Sequence, residues 1–322
     1  MRTMTLILVL AVLAAACSNA QDGTFLTVED AGPDFAIQGE YQGEIKHNGN
    51  SVKLGFQVVA LGEHKFDAVT YPGGLPGDGW NGKEKFPANG GTVDQVTKVS
   101  AAGHGYAIIG NGEAAVYGEN DELMGTLKKV ERKSPTLNAK APEGAVVLFD
   151  GKSADQFERG MITMNDLLAA DCETKEKFGD HALHIEFRTP FKPAARGQER
   201  GNSGVYIQGR YECQVLDSFG LEGENNECGG IYSIARPQVN ACFPPLTWQT
   251  YDMDFKAAVF ENDKKVKNAR VTIRHNGIVI HDDLELTHGT PGKNPEAAGP
   301  DVIYLQGHGN PVVYRNIWVV KK

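Results

Sequence analysis

Basic charge is scarce in this 322-residue chain. Lysine and arginine total 32 against 41 aspartates and glutamates, so the formal net charge is −9. Removal of Arg2 with an N-terminal leader makes the net charge one unit more negative. Nucleic acids and anionic membrane surfaces both select basic proteins, so this balance argues against either as a partner. A neutral ligand is compatible with it.

Long hydrophobic runs are almost absent. The single clear one, from Leu6 to Ala16, is too short to cross a bilayer and predicts a secretory signal over residues 1–20. Two processing routes stay open: lipidation at Cys17, or cleavage after Ser18-Asn19-Ala20 by ordinary signal peptidase. We therefore expect an exported protein, either a periplasmic or cell-envelope lipoprotein or a secreted one. Membrane contact is expected only through a lipid anchor.

Cysteine is also rare, and no Cys-x-x-Cys or Cys/His spacing indicates zinc. Apart from Cys17 the chain contains Cys172, Cys213, Cys228 and Cys242, which allow three pairings in an oxidising compartment. We predict a disulfide between Cys228 and Cys242, because both lie in loop-like sequence and a bridge would connect the two loops.

Helical periodicity is scarce, whereas glycine is abundant at 38 residues. Turn signals recur every ten or so residues between short runs of Val, Ile, Tyr and Phe, a spacing typical of antiparallel sandwiches and barrels. The polar segment 132–144 contains two prolines and predicts a linker. It separates a small β-rich domain of five or six strands, 24–131, from a two-sheet sandwich, 145–322.

Alternation along the predicted strands of the second domain places polar side chains on shared faces. Glu186 and Arg188 share one face of their strand, and Glu212 and Gln214 share one face of another. Such rows are often merely solvated. Here they occur with aromatic residues, and this mixture suits sugars, whose hydroxyls need polar partners and whose C–H faces stack on rings.

A series of motifs occurs in order along residues 145–322. They are Phe149-Asp-Gly, His184-Ile-Glu-Phe-Arg188, Gly201-Asn-Ser-Gly-Val205, Tyr211-Glu-Cys-Gln-Val-Leu-Asp-Ser218, Gly230-Ile-Tyr232, Trp248-Gln-Thr-Tyr-Asp252, His275-Asn-Gly277, Leu305-Gln-Gly-His-Gly-Asn310 and Arg315-Asn-Ile-Trp318. Together they resemble the 3-keto-disaccharide hydrolase family, also described as 3-keto-glucoside 1,2-lyases and 3-keto-2-hydroxyglucal hydratases. The resemblance implies an all-β fold with a concanavalin A-like jelly-roll sandwich, the fold class of laminarinase-type glucanases.

The strand from Glu212 to Asp217 is central to the chemistry that the resemblance implies. Those glucanases carry Glu-x-Asp-x-x-Glu there, but in this chain Gln214 replaces the middle acid and Asp217 is the shorter last acid. Retaining hydrolysis needs two carboxyl groups about 5–5.5 Å apart. The shortened side chain therefore favours an elimination, in which a C3 ketone acidifies the C2 hydrogen and the glycosidic oxygen leaves C1, with or without later hydration.

The candidate site residues follow from this reasoning. Glu212 and Asp217 are the predicted acid and base, and His308 is a third proton carrier because its ordinary pKa is near neutrality. The predicted substrate-binding residues are Glu186, Arg188, Asn202, Gln214, Tyr232, Trp248, Tyr251, Gln306 and Asn310.

Several alternatives stay open at this level. Glu212 could instead pair with Arg188 across strands, and His308 could fix loop backbone. The domain could be a lectin-like module without catalysis, or a glycosidase acting on unoxidised glucan. No cofactor is required, although Glu222, Glu224 and Glu227 could hold a hard divalent cation, calcium or magnesium.

Overall fold

The computed structural model describes residues 23–322. The predicted signal and Cys17 therefore lie outside the described residues. One short helix, α1 (Gly32–Ile37), precedes the first strand, and no helix in the described part of the chain is long and apolar enough to span a bilayer. The remaining regular structure is almost entirely antiparallel strand, so the all-β prediction is confirmed.

The first half of the chain forms a closed up-and-down barrel. Its eight strands are β1 (Gly39–His47), β2 (Asn50–Gly62), β3 (Lys65–Pro72), β4 (Phe86–Val93), β5 (Val96–Ala101), β6 (Gly105–Gly110), β7 (Glu113–Tyr117) and β8 (Leu123–Val130). Each strand pairs with the next, and β8 returns to pair with β1 through Glu40 and Val130. Closure leaves no free sheet edge, and alternate residues of each strand point into one interior.

The sequence predicts five or six strands here, whereas the structure has eight. The difference is mainly β4 and β5, because β4 contains Pro87, Gly90 and Gly91 and resembles a loop in composition. The structure explains Gly90: a Cβ at this position would lie 1.9 Å from the carbonyl oxygen of Lys98 on β5. Glycine is thus required by the close approach of two strands rather than by a turn.

The second half is a two-sheet sandwich. Its strands are β9 (Val146–Phe149), β10 (Phe157–Glu158), β11 (Ile162–Thr163), β12 (Leu167–Ala169), β13 (Cys172–Thr174), β14 (His181–Arg188), β15 (Ser203–Ile207), β16 (Tyr211–Val215), β17 (Gln249–Lys256), β18 (Val259–Glu261), β19 (Lys264–Lys267), β20 (Ala269–His275), β21 (Ile278–Leu286), β22 (Tyr304–Leu305) and β23 (Val313–Lys321). A 3₁₀ turn, Gly197–Glu199, precedes β15.

The strands form a five-stranded sheet, β10-β13-β22-β15-β16, and an eight-stranded sheet, β11-β12-β23-β14-β17-β20-β21 with β9 paired to β23. The hairpin β18-β19 stands apart. Ile185 and Phe187 of the larger sheet and Val205 and Cys213 of the smaller one belong to one buried core between the sheets. This is the jelly-roll sandwich that the sequence predicts.

The segment 132–141, which we term the strap, joins the two halves and covers the outer face of the eight-stranded sheet. Thr136 donates a hydrogen bond to Asp252 Oδ2 at 2.6 Å, and the Ala139 carbonyl accepts one from Asn316 Nδ2 at 3.0 Å. The backbone N–H of Asn138 donates to Glu186 Oε1. The predicted linker thus supplies partners to buried polar groups of the sheet beside it.

Arg200 connects the sandwich to the barrel. Its guanidinium forms an ion pair with Asp217, Nε to Oδ2 at 2.7 Å, and donates to the carbonyl oxygen of Ala60 on β2 at 3.3 Å. Phe25, Phe35 and Phe191 add an aromatic cluster between the two halves. The two halves therefore share buried polar and apolar contacts.

Candidate active site

Glu212 lies on the outer, polar face of the five-stranded sheet, on its edge strand β16. Antiparallel pairing of β15 with β16 places it directly opposite Tyr206, which donates its hydroxyl hydrogen to Glu212 Oε2 at 2.8 Å. The next residue on the same face of β15 is Gly204, two positions before Tyr206, where a Cβ would lie 2.3 Å from Glu212 Oε1. The absence of a side chain at Gly204 therefore lets the carboxyl group lie over β15.

The environment of Glu212 changes its acidity. The residue is only 3% exposed, and this burial raises the pKa of its carboxyl group to about 7, against the opposing effect of the Tyr206 hydrogen bond. Near neutral pH both forms are populated, so the group can accept or donate a proton. Such a pKa is what general acid–base catalysis favours.

Tyr206 connects Glu212 to two further groups. Its hydroxyl also lies 3.0 Å from the carbonyl oxygen of Pro291, and it accepts a hydrogen bond from Gln306 Nε2 at 3.2 Å. Its single hydrogen can be shared between Glu212 and Pro291, and burial raises the pKa of the phenol. Tyr206 therefore stays protonated while Glu212 titrates.

Side-chain amides surround this pair. Gln198 Oε1 accepts hydrogen bonds from Asn202 Nδ2 at 2.9 Å and from Gln214 Nε2 at 3.1 Å. In contrast, Asn202 Oδ1 and Gln306 Oε1 are buried oxygens without a hydrogen-bond partner among the described residues. Buried acceptors are normally satisfied, so these two are suited to accept hydrogens from a bound molecule.

Aromatic rings and one lysine complete the site. Tyr304 lies 5.5 Å from Tyr206 between ring centroids, and Lys293 Nζ lies 4.6 Å from the Tyr304 centroid. Lys293 also pairs with Glu173, Nζ to Oε2 at 2.6 Å. Tyr232 belongs to a segment that runs beside β16, its backbone N–H donating to the Glu212 carbonyl at 3.1 Å.

The structure thus brings Glu212 together with four of the predicted substrate-binding residues, Asn202, Gln214, Tyr232 and Gln306. Sequence reasoning missed Gln198, Lys293 and Glu173 as neighbours of the site. The sequence signal near Lys293 is the Pro291-Gly292 pair that precedes it. In the structure, a Cβ at Gly292 would lie 2.5 Å from the Tyr206 hydroxyl. A Pro-Gly pair before a lysine is otherwise an ordinary turn.

The structure places Asp217, the predicted catalytic partner of Glu212, in a buried ion pair. Strand β16 ends at Val215, Val215 and Leu216 both lie in the core, and Asp217 pairs with Arg200. Its side chain is fully inaccessible, and Phe219 N–H donates to its other oxygen at 3.4 Å. Burial raises the pKa of Asp217, against the Arg200 charge.

Glu186, Arg188 and Trp248 lie in a different place from Glu212, at the outer face of the eight-stranded sheet. Glu186 is buried beneath the strap and pairs with Arg315, Nε to Oε2 at 2.7 Å. Burial raises its pKa, but His184, Asn316 and Arg315 outweigh burial and the pKa falls to about 2.

Arg188 and Arg315 lie 5.0 and 4.0 Å from the Trp248 ring centroid. Alternation assigns faces within a strand but does not show which sheet contains the strand. The prediction that these residues share a site with Glu212 is therefore wrong. The alternative pairing of Glu212 with Arg188 is wrong for the same reason.

The remaining three predicted site residues form hydrogen bonds with groups other than Glu212. Tyr251 is buried between the sheets and donates to the Gln214 carbonyl at 2.6 Å, because its strand turns that face inward. Asn310 Oδ1 accepts from Lys192 Nζ at 2.7 Å, which fixes a turn. His308 lies exposed on the same turn, and its carbonyl accepts from Asn310 Nδ2 at 3.2 Å.

The predicted disulfide is not formed: Cys172, Cys213, Cys228 and Cys242 are buried free thiols. Cys228 Sγ lies 3.2 Å from the Tyr251 hydroxyl, whereas Cys242 Sγ donates to the carbonyl of Phe243 at 3.4 Å. The two thiols also lie within hydrogen-bonding reach of each other, so the predicted pair is adjacent although no bridge joins it.

The candidate cation ligands also have other partners. Glu222 pairs with Lys85 and Glu224 with Arg236, while Glu227 accepts from the backbone of Gly223. Within residues 23–322 no group of three acidic, histidine or cysteine side chains could hold a metal ion.

Comparison with known proteins identifies the family of the sandwich. A family model described as a 3-keto-alpha-glucoside-1,2-lyase-like domain matches residues 144–320, more than half of the chain. No curated protein matches the chain.

A solved structure of a candidate glycosyl hydrolase from Parabacteroides distasonis ATCC 8503 is 32% identical, covers 56% of this chain and 85% of its own, and has a TM-score of 0.52. Two others with the same description and source are 16% and 20% identical. They cover 56% and 55% of this chain and 94% and 99% of their own, with TM-scores of 0.43 and 0.40. The family match covers the sandwich, and the chain belongs to the 3-keto-alpha-glucoside-1,2-lyase-like family.

Proposed function

We propose that this protein is an exported enzyme that cleaves 3-keto-glucosides by acid/base elimination, with hydration of the product giving net hydrolysis. Family membership supports a carbohydrate-active enzyme. The observation that carries the finer proposal is the buried Glu212 carboxyl group, whose pKa of about 7 suits proton transfer from carbon at neutral pH.

The chemistry assigns Glu212 the role of general base. Its carboxylate takes the C2 hydrogen as a proton, and the electron pair of that C–H bond passes into the enolate of the C3 ketone. When the C1–O bond then breaks, this pair forms the C1–C2 double bond and the C3 ketone is restored. The C3 ketone stabilises negative charge at C2 as an enolate before the glycosidic oxygen leaves. That oxygen must gain a proton, which protonated Glu212 can return.

The surrounding hydrogen bonds support this cycle. When Glu212 is ionised, Tyr206 donates to it; when Glu212 is protonated, the Tyr206 hydrogen can turn to the Pro291 carbonyl 3.0 Å away. The site therefore satisfies both protonation states without moving a strand. The unpartnered oxygens of Asn202 and Gln306 can accept sugar hydroxyl hydrogens, and the Lys293 ammonium beside Tyr304 suits an anionic enolate oxygen.

Retaining hydrolysis is less well supported, because the second carboxyl group of the glucanase pattern, Asp217, is held by Arg200 away from substrate.

The test compares a 3-keto glucoside carrying a chromogenic aglycone with the same glucoside unoxidised. Glu212→Gln should lower aglycone release from the oxidised substrate by about 10²–10⁴-fold, the usual contribution of a general base. Glu186→Gln is the matched control, since it replaces a buried strand glutamate of the other sheet. Deuterium at C2 should slow the reaction of the wild type if proton removal limits the rate.

Other outcomes favour other functions. Equal release from the unoxidised glucoside would identify an ordinary glycosidase. Binding without turnover, unaffected by Glu212→Gln, would identify a lectin-like module. Export is tested by sequencing the N-terminus of the mature protein and by metabolic labelling for a lipid on Cys17.

A further inference from the structure

The barrel interior contains a cavity of about 350 Å³ that no part of the proposed function uses. All eight strands contribute to its walls, which are mostly apolar and include Ile45, Leu54, Phe56, Ala88, Val99, Ala107, Val116 and Leu127. None of its lining residues belongs to the Glu212 site. The cavity is thus a separate feature of the other half of the chain.

The distribution of side-chain sizes explains why the cavity exists. Tyr41 and Phe66, both fully buried, occupy the barrel end nearest the sandwich and do not line the cavity. Toward the opposite end the interior positions carry small residues such as Ala88, Ala101 and Ala107. Eight-stranded barrels are either filled by their own side chains or hold one small ligand, and this one is filled at one end only.

The open end carries the polar groups of the cavity. His47, Thr70, Glu84 and His104 lie among its lining residues at strand ends or in the adjoining loops. The His104 ring packs against Phe86, with 4.5 Å between centroids. A ligand in this cavity would therefore meet apolar walls inside and hydrogen-bonding groups at the mouth.

We propose that the barrel binds a small apolar organic molecule with a single hydrogen-bonding end, which stays at the mouth. A 150 Å³ apolar cavity accommodates benzene, so by proportion 350 Å³ suits roughly fourteen non-hydrogen atoms. This is the size of a fused aromatic compound or a medium-length acyl chain. A sugar is excluded as the occupant because its hydroxyls would have no partners along the apolar walls.

The experiment uses the full mature chain and 1-aminoanthracene, a fluorescent three-ring compound with one amino group. We expect a saturable increase in fluorescence at one site per chain, reversed by decanoic acid or decanol but not by maltose. Competition by the acid alone would assign an anionic end to the natural ligand, and competition by both a neutral one. Either result supports the site.

Two alanines provide the matched variants. Ala107 on β6 lines the cavity, whereas Ala115 on β7 pairs with Ile108 and does not. Ala107→Leu should weaken probe binding by about tenfold or more, because its added carbons occupy ligand space, and Ala115→Leu should leave it unchanged. Ala101→Leu, at the partly exposed mouth, is a second blocking variant if Ala107→Leu does not fold.

The absence of saturable binding, or equal binding by the blocked and control variants, would overturn the proposal. Glu212→Gln should bind the probe like the wild type, which separates this site from the one in the sandwich. Loss of probe binding in Glu212→Gln would place the probe at the sandwich and would also refute the barrel site.

Discussion

Replacement of Glu212 by glutamine should stabilise the protein at alkaline pH. The folded state raises the pKa of this carboxyl group from 4.5 to about 7, so folding opposes its ionisation. Below pH 4.5 the group is neutral in both states and has no such cost. As the pH rises from 4.5 to about 7 the unfolded state loses its proton first, so the stability of the wild type falls across this window.

The magnitude follows from the shift. One pKa unit corresponds to about 1.4 kcal/mol, so the full shift corresponds to about 3 kcal/mol of stability lost by pH 8. Glutamine has nearly the same shape, can accept the Tyr206 hydrogen bond and does not ionise. Glu212→Gln should therefore unfold at a Tm roughly 5 °C above the wild type at pH 8, with little difference at pH 4.

Glu186 offers a control of opposite sign. Its pKa in the folded protein falls to about 2, so its carboxylate adds stability above pH 4.5 that is lost as the pH falls toward 2. Glu186→Gln should lower Tm at pH 8 and have less effect in acid. Calorimetric melts of the three proteins between pH 2 and pH 8 provide the measurement, because the Glu186 contribution is lost below pH 4.5. A Glu212→Gln variant that is less stable than the wild type at pH 8 would refute the assigned pKa and the reasoning built on it.

Three further predictions concern the site and its surroundings. Tyr206→Phe removes the hydrogen bond that stabilises ionised Glu212, so the acidic limb of the kcat/KM profile should move upward by about one pH unit, whereas Tyr304→Phe should not move it. An unchanged profile in Tyr206→Phe would contradict this coupling. Asp217→Asn should destabilise the fold by roughly 3–5 kcal/mol in urea titrations, because Arg200 loses its buried partner, while kcat of the folded fraction stays near the wild-type value. A loss of kcat without loss of stability would restore Asp217 to catalysis. Finally, a fragment of residues 145–322 should unfold at lower urea concentration than one of 132–322, since it lacks the strap; equal midpoints would show that the strap adds no stability.

Much of the fold could be predicted because period-two alternation and turn spacing are local properties of the sequence. The prediction of the sandwich, and of Glu212 beside Gln214, depended on this pattern. Strand β4 was missed because its glycines and proline have loop propensity, and the reason for Gly90 is a contact with Lys98 on the neighbouring strand β5. That contact cannot be inferred from local sequence.

The site was predicted in part for a related reason. Alternation shows which side of its own strand a residue occupies, but not which sheet contains that strand. Glu186 and Glu212 therefore looked equivalent, although one is covered by the strap and the other lies beside Tyr206. Asp217 lies two residues beyond the end of its strand, where Arg200, which comes from a separate segment, binds its carboxylate.

The strap has a consequence for how this protein can evolve. The family match begins at residue 144, yet Thr136 and Asn138 satisfy Asp252 and Glu186 of the matched region. Thr136 and Asp252 meet through their side chains, so substitutions at these two positions are expected to be accepted in pairs, whereas any residue except proline at 138 supplies the N–H that Glu186 accepts. The unit that is inherited with the family and the unit that is physically self-sufficient differ, and a recombination event at residue 144 would separate the sheet from its cover.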